Sequence, residues 1–486
     1  MATKVKSDVR DIVTTYLRDN DERSSDVERP ARCAYKHVFD ADDETGADES
    51  PSVWRCPHPA SGAADRCLFH RPVGETRPAA VTEALRETIA DPERPSAFVG
   101  GSFERIDLAG LTLADDAPLD FRGAMVKGDI DLRDAALEGP LRLDRVSVGG
   151  AVCMQRLDAL ATVTCRSLQV GDRWVLCESR FGERFDATGF SAGAVVATEA
   201  RFEGGATFRK GVVDDDVSVA EAQFGGPAWF SHTRLGGRLD LGNVACDRRL
   251  SLAHCRVREN IVAASATVDD GLSLEHLTVD GELDATRLTV DGGIDATSAG
   301  FGGRVDCTGL TARDGTVDFT HSAFDGPVSF DNATVEGRAL RFRSARFESG
   351  AASFVRATVT GGLDLSDAVC SADSPVRVVE TTVGGSVVCD HARFGDEVFC
   401  SGVRVARDVD FSDCTVGSLV FGVEIEGRLD FAYTHVTDAA AFGDTVVRGP
   451  ARFTSARFDA DPTLTEATLG DTVAAYDMSV EHAGGQ

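Results

Sequence analysis

Apolar side chains recur along this chain at alternating steps of six and five residues. One series runs Phe224, Leu235, Cys246, Val257, Val268, Val279, Val290, Phe301 and Ala312, and a second lies six residues behind it at Phe230, Leu241, Leu252, Ala263, Leu274, Ala285, Ala296 and Cys307. Single-residue insertions move both series on, to Phe324, Val335, Phe347, Val359 and Cys370, and to Phe319, Phe330, Phe342, Phe354 and Leu365. From Val126 to Phe458 the register holds, with slips, through about 30 units, a repeat array by any internal-periodicity criterion. Nine phenylalanines mark the core ladder it predicts: Phe224, Phe230, Phe301, Phe319, Phe324, Phe330, Phe342, Phe347 and Phe354.

Each unit holds two pairs. One is small-x-large, as in Ala345-Arg346-Phe347; the other is large-x-large, as in Leu239-Asp240-Leu241. Residues two apart in extended chain point to the same side, so both pairs face one core. Glycine follows the small-x-large pair at Gly281, Gly292, Gly302, Gly326, Gly337 and Gly361, where a tight corner with positive φ is expected. A chain that turns every five or six residues in one sense must coil, and stacked coils pair their backbone groups. Helical spacing of three and four is missing. An 11-residue coiled coil is excluded by the dense glycine and β-branched residues.

These units resemble the pentapeptide-repeat proteins in their phenylalanine-rich form, A-x-F-x-G-x-V-x-F. Close copies are Ala323-Phe324-Asp325-Gly326-Pro327-Val328-Ser329-Phe330 and Ala200-Arg201-Phe202-Glu203-Gly204-Gly205-Ala206-Thr207-Phe208. The resemblance implies an all-β, right-handed, single-stranded parallel β-helix with four sides. The extra residue in every second unit predicts coils of about 22 residues and leaves the cross-section open. About 15 coils at about 4.8 Å would make a rod near 70 Å.

The expected organisation is an N-terminal segment over 1–77, a capping helix and linker over 78–102, the solenoid over 103–458, and a C-terminal cap and tail over 459–486. The helix is expected over 78–91 because its alanine, leucine and isoleucine have helical spacing and Pro78 suits its first position. Residues 40–53 read as an acidic disordered loop.

The N-terminal segment carries the one chemical motif, within 33–70. Cys33, Cys56 and Cys67-Leu68-Phe69-His70 make a Cys₃His set, which suits structural tetrahedral zinc. A segment with few apolar residues needs such an ion to fold. A similar C-P-x-x-A…C-x-F-H segment precedes some pentapeptide arrays. His37 and His58 are alternative ligands.

Composition narrows function. The chain has 79 acidic against 50 basic residues, a net charge of −29, and only five lysines. That balance suits high salt, where cations screen self-repulsion, and predicts a halophilic, haloarchaeal source. No basic patch for direct nucleic-acid binding is visible. Without an apolar run of about 18 residues no transmembrane helix and no membrane partner are expected, and with no secretory signal at the start a cytoplasmic location follows. The remaining cysteines mostly replace apolar repeat residues and are expected to be buried and reduced.

No nucleotide-binding or hydrolase motif appears. His232, His254 and His276 lie 22 apart on one expected corner. Asp240, Asp284, Asp295, Asp306, Asp318, Asp364, Asp410 and Asp430 are expected to form acidic ladders on outer faces. The reading is a non-catalytic scaffold for an unidentified protein partner, with no catalytic residue; an end-to-end dimer is compatible with a rod. One alternative is a DNA mimic acting on a type II topoisomerase, since some pentapeptide-repeat proteins imitate B-DNA. Another is a carbohydrate-active β-helix enzyme, which would need a carboxylate pair in a cleft.

Overall fold

A computed structural model describes residues 32–39, 52–61, 64–470 and 472–480. The chain divides into two compact units, Met1–Leu68 and Phe69–Gln486. In the first, strands Lys36–Phe39 and Ser52–Arg55 form an antiparallel pair, with Lys36 opposite Arg55 and Phe39 opposite Ser52. Ser52 and Val53, expected in a disordered loop, are thus in a strand; residues 40–51 lie outside the described residues.

The second unit is a parallel β-solenoid with one helix. Each coil has four strands of mostly two residues. Val217–Ser218, Gln223–Phe224, Ala228–Trp229 and Arg234–Leu235 complete one turn, and Leu239–Asp240 returns to pair with the first, Val217 against Leu239. Four strands per turn give four sides. The same 22-residue offset pairs Phe224 with Cys246 and Ala228 with Leu250. Insertions and deletions stretch or shrink a coil without breaking it: Val328 pairs with Ala352, and Val409 with Leu429. One face alone stacks 17 strands, more than the 15 coils expected. The ladder starts earlier, at the Ala97–Asp120 bridge, and runs past Phe458, where Val473–Ala474 pairs with Ala451–Arg452 and Ser479–Val480 with Arg457–Phe458. Its last coil was missed because Leu464, Val473, Tyr476 and Met478 stay exposed and do not repeat the inward pattern.

The inward pairs build the core. All nine ladder phenylalanines are buried. Because coils repeat at one strand spacing, like residues stack: Phe324 on Phe347 at 5.0 Å, Phe301 on Phe324 at 5.3 Å, and Phe319 on Phe342 at 5.3 Å between ring centroids. Such aromatic pairs add about 0.5–1.5 kcal/mol each beyond area burial. The helix Pro78–Ala90 starts on its proline and buries Leu85, Thr88 and Ile89. Its Arg86 donates to the carbonyls of Asp107 and Ala109 at 3.0 and 3.1 Å, fastening it to the first coil.

The corners correct one expectation. None of Gly281, Gly292, Gly302, Gly326, Gly337 and Gly361 has positive φ. They are glycine because neighbouring coils leave no room for a side chain; a Cβ on Gly326 would lie 2.7 Å from the carbonyl carbon of Gly303. The left-handed corners fall instead after the large-x-large pairs, on ordinary residues such as Asn243 (φ 56), Ser265 (φ 57) and Arg287 (φ 54). At several of these corners the tension is met by aspartate. All eight aspartates singled out in the sequence accept the backbone N–H two residues on, from Asp240 to Gly242 at 3.0 Å through Asp284 to Thr286 at 3.0 Å and Asp410 to Ser412 at 2.9 Å. Where a threonine or serine stands there, its hydroxyl donates to the same oxygen, as Thr286 does at 2.7 Å. This is the local Asx-type bond that turns favour.

Two substitutions separate the corner types. Gly326→Ala should cost about 1–3 kcal/mol by overpacking, read as a lower urea midpoint. Arg287→Gly should leave the midpoint unchanged or raise it, since relief of about 1–2 kcal/mol of left-handed strain outweighs about 0.5–1 kcal/mol of glycine entropy. A tolerated alanine at 326 would mean that coil spacing does not demand glycine there.

Candidate metal centre

The cysteine motif is assembled by short backbone links. Cys33 N–H donates to the His58 carbonyl at 3.1 Å, and Cys56 N–H to the Tyr35 carbonyl at 3.2 Å, which sets the two arms of the hairpin side by side. Ala34 N–H donates to the Asp65 carbonyl at 2.8 Å and brings in the third cysteine's segment. The turn Leu68–His70 follows Cys67 as a single 3₁₀ turn, so residue 70 comes back beside residue 67. One ligand atom from each of Cys33, Cys56, Cys67 and His70 lies within 4.8 Å of all the others, and all four residues are buried. Among the described residues this is the one group of three or more such side chains placed to hold a metal ion.

The donor set can be tested for fit. A tetrahedral ion with sulfur bonds of about 2.3 Å holds its sulfurs about 3.8 Å apart. The Cys56 and Cys67 sulfurs stand 3.7 Å apart. The Cys33 sulfur accepts the Cys67 N–H at 3.1 Å, a bond that stabilises a thiolate. His70 Nε2 lies 2.9 Å from the Val99 carbonyl. A carbonyl only accepts, so Nε2 carries the hydrogen and Nδ1 keeps the lone pair for a ligand bond, the usual partner of a metal-bound imidazole. In the protein's thiol form the Cys56 pKa is pushed far up, first by its hydrogen bond to Cys67 and then by burial. A divalent cation reverses that preference and takes the thiolates. The residues therefore fit a tetrahedral metal ion held by four protein donors.

The alternative ligands fall outside this group. His37 Nδ1 is hydrogen-bonded with the Tyr35 hydroxyl at 3.3 Å. His58 is buried, but it contributes its backbone carbonyl to Cys33. Sequence reading missed the second layer of the site, the Val99 carbonyl, because a backbone acceptor leaves no signature in residue type.

Elsewhere the candidate chemistry has structural roles. His232, His254 and His276 stack with centroids 4.7 and 4.8 Å apart. They are exposed, occupy left-handed corners (φ 63, 58 and 53) and hold no shared metal geometry. The outer aspartates cap turns, and several are also paired: Arg238 with Asp240 at 2.9 Å, Arg304 with Asp306 at 2.6 Å, and Arg341 with Asp318 at 3.4 Å. The repeat cysteines Cys246, Cys307, Cys370, Cys389 and Cys400 are buried and unbridged. Burial pushes the Cys370 and Cys400 thiols up to about 12, which leaves them unreactive.

The family described as pentapeptide repeats (9 copies) matches residues 319–369. No curated protein and no solved structure matches the chain. The matched stretch is where stacked phenylalanines are densest, including Phe319, Phe324, Phe330, Phe342, Phe347 and Phe354.

Cobalt(II) offered in place of zinc should give the intense visible bands of tetrahedral thiolate coordination, at about one ion per chain. Cys67→Ser should lose most of that absorbance and His70→Ala should shift it. Wild-type protein that takes up no stoichiometric cobalt or zinc would overturn the assignment.

Proposed function

We propose that this protein is a non-catalytic scaffold that presents the faces of a long solenoid to a protein partner. The observation that carries the reading is the fate of its carboxylates. All eight outer aspartates are spent on the backbone N–H two residues ahead. Carboxylates committed to single turns are poor candidates for the paired acid and base of glycoside hydrolysis. Arginines beside several of them also interrupt the line of bare negative charge that imitation of DNA calls for. The scaffold therefore ranks above the topoisomerase-directed mimic and above a β-helix enzyme. Similarity to pentapeptide repeats over 319–369 supports the same reading.

In this reading the Cys₃His set holds structural zinc through Cys33, Cys56, Cys67 and His70. The ion fixes a segment whose described elements are two four-residue strands and a 3₁₀ turn, too little to fold on apolar burial. No helix among the described residues is long and apolar enough to cross a membrane. We place the protein in a cytoplasm of high salt on the strength of its −29 charge, and the exposed Leu464, Val473 and Tyr476 on the last coils favour an end-to-end dimer.

Affinity capture of the full chain from its native cytoplasm in molar potassium chloride should recover a partner that re-forms a complex with purified chain at fixed stoichiometry. Capture with Cys67→Ser, His70→Ala would assign recognition to the metal module if that partner is lost and to the solenoid if it is kept. A type II topoisomerase as the partner, with supercoiling inhibited by the purified chain, would replace the scaffold with the mimic. No reconstitutable partner in native salt would sink the proposal.

A further inference from the structure

One place on the solenoid departs from the acidic surface. A concavity of about 350 Å³ lies on the outer side of the strands Ala206–Thr207 and Ala228–Trp229. Arg184, Arg209 and Lys210 line it with Thr188, Thr207 and Trp229, and no aspartate or glutamate does. In a chain with 79 acidic residues and five lysines, three cations around one hollow free of carboxylates stand out. Its volume falls at the lower end of small-molecule sites, about 300–1,000 Å³.

The backbone makes the room. Here the coil is one residue short, Phe185 pairing with Ala206 at an offset of 21. The residue is missing at Gly193, where the register between Gln169–Val175 and Ser191–Val196 shifts from 22 to 21; Gly204-Gly205 is a corner of ordinary length in that coil. Gly205 has φ +83, and a Cβ there would meet the Pro227 carbonyl oxygen at 2.8 Å; a Cβ on Gly204 would lie 2.5 Å from the carbonyl carbon of Glu183. At both glycines the neighbouring coils approach too closely for a side chain, so this part of the lining is backbone.

The cations are held but not neutralised. The Arg209 guanidinium sits over the Trp229 ring, 4.3 Å from its centroid, a cation–π contact that fixes its position. Its Nε is buried and has no hydrogen-bond acceptor, an unmet demand that interiors rarely tolerate. Among the described residues neither Arg209 nor Lys210 is paired with a carboxylate. Arg184 is partly committed: it donates to Asp186 at 2.9 Å, and Arg166 donates to the same oxygen at 3.0 Å. Burial would raise the Asp186 pKa, but hydrogen bonds from Thr188 and Arg166 outweigh it and keep the carboxylate ionised. Arg209, with its unmet Nε–H, and Lys210 therefore line a hollow whose other side chains are hydroxyls, Pro227 and an indole.

We propose that this hollow binds a small molecule carrying a phosphate group, with Arg209 and Lys210 as the anion-binding residues and Trp229, Pro227 and Ala206 against its apolar part. Two positive charges without carboxylate partners match a doubly charged phosphate better than a singly charged carboxylate, and both arginine and lysine bind phosphate oxygens. The site lies within the solenoid, is independent of the metal centre, and adds a ligand to a surface otherwise read as protein-binding.

The test uses the full chain with phenyl phosphate, inorganic phosphate and benzoate at constant ionic strength, followed by calorimetry and tryptophan emission. Phenyl phosphate should bind saturably at one site and change the emission of Trp229, a change lost in Trp229→Phe. Arg209→Gln and Lys210→Gln should each weaken binding about tenfold or more, as expected for a charged hydrogen bond, with unfolding midpoints unchanged. Inorganic phosphate should bind more weakly at the same site. Benzoate binding as tightly as phenyl phosphate would overturn the phosphate assignment. Absence of saturable phenyl phosphate binding up to about 10 mM, or affinity unchanged in both charge variants, would overturn the site itself.

Discussion

Every feature of the solenoid depends on one constraint: each coil must hydrogen-bond to the next at the spacing of adjacent β-strands, about 4.8 Å. A residue and its counterpart about 22 positions on are then locked in one column. Phenylalanines stack at 5.0 Å in the core, and histidines stack at 4.7 Å on an outer corner. Where the backbone itself occupies the column, as at Gly326 above Gly303, no side chain fits. The same distance rewards ring stacking inside and forbids a Cβ at the corner.

The four-sided path supplies the second demand. A strand of two residues cannot turn without stress, and in most units one corner is taken in the left-handed region by a residue with a full side chain, from Asp134 to Asp477. Aspartate two residues before the turn answers with its carboxylate, and threonine or serine adds a hydroxyl to the same oxygen. Part of the acidity is therefore a folding device. This bears on function, since carboxylates tied to turns are less free for catalysis or for mimicry of phosphates.

The two chemical sites differ in how the fold makes them. The Cys₃His set is a local assembly: two strands, one 3₁₀ turn, and backbone bonds that bring three thiols and an imidazole within 4.8 Å. The cationic hollow is assembled across coils, from Arg184, Arg209, Lys210 and Trp229 around the backbone of Gly204 and Gly205.

The sequence by itself determined the parallel coil, its length of about 22 residues and the inward phenylalanines, because a period kept over hundreds of residues leaves a single way to bury the apolar set. It also marked Cys33, Cys56, Cys67 and His70 as a candidate donor set, since thiols and an imidazole in that spacing carry their chemistry with them. Only the tertiary structure decided why the glycines are glycine, because the obstacle is the backbone of another coil. It alone decided that the outer aspartates serve their own turns, which depends on φ, and that the Val99 carbonyl fixes the tautomer of His70, which depends on a backbone atom. Arg184, Arg209 and Trp229 were likewise invisible as a group: 45 positions separate the first from the last, and two coils must close before they share a wall.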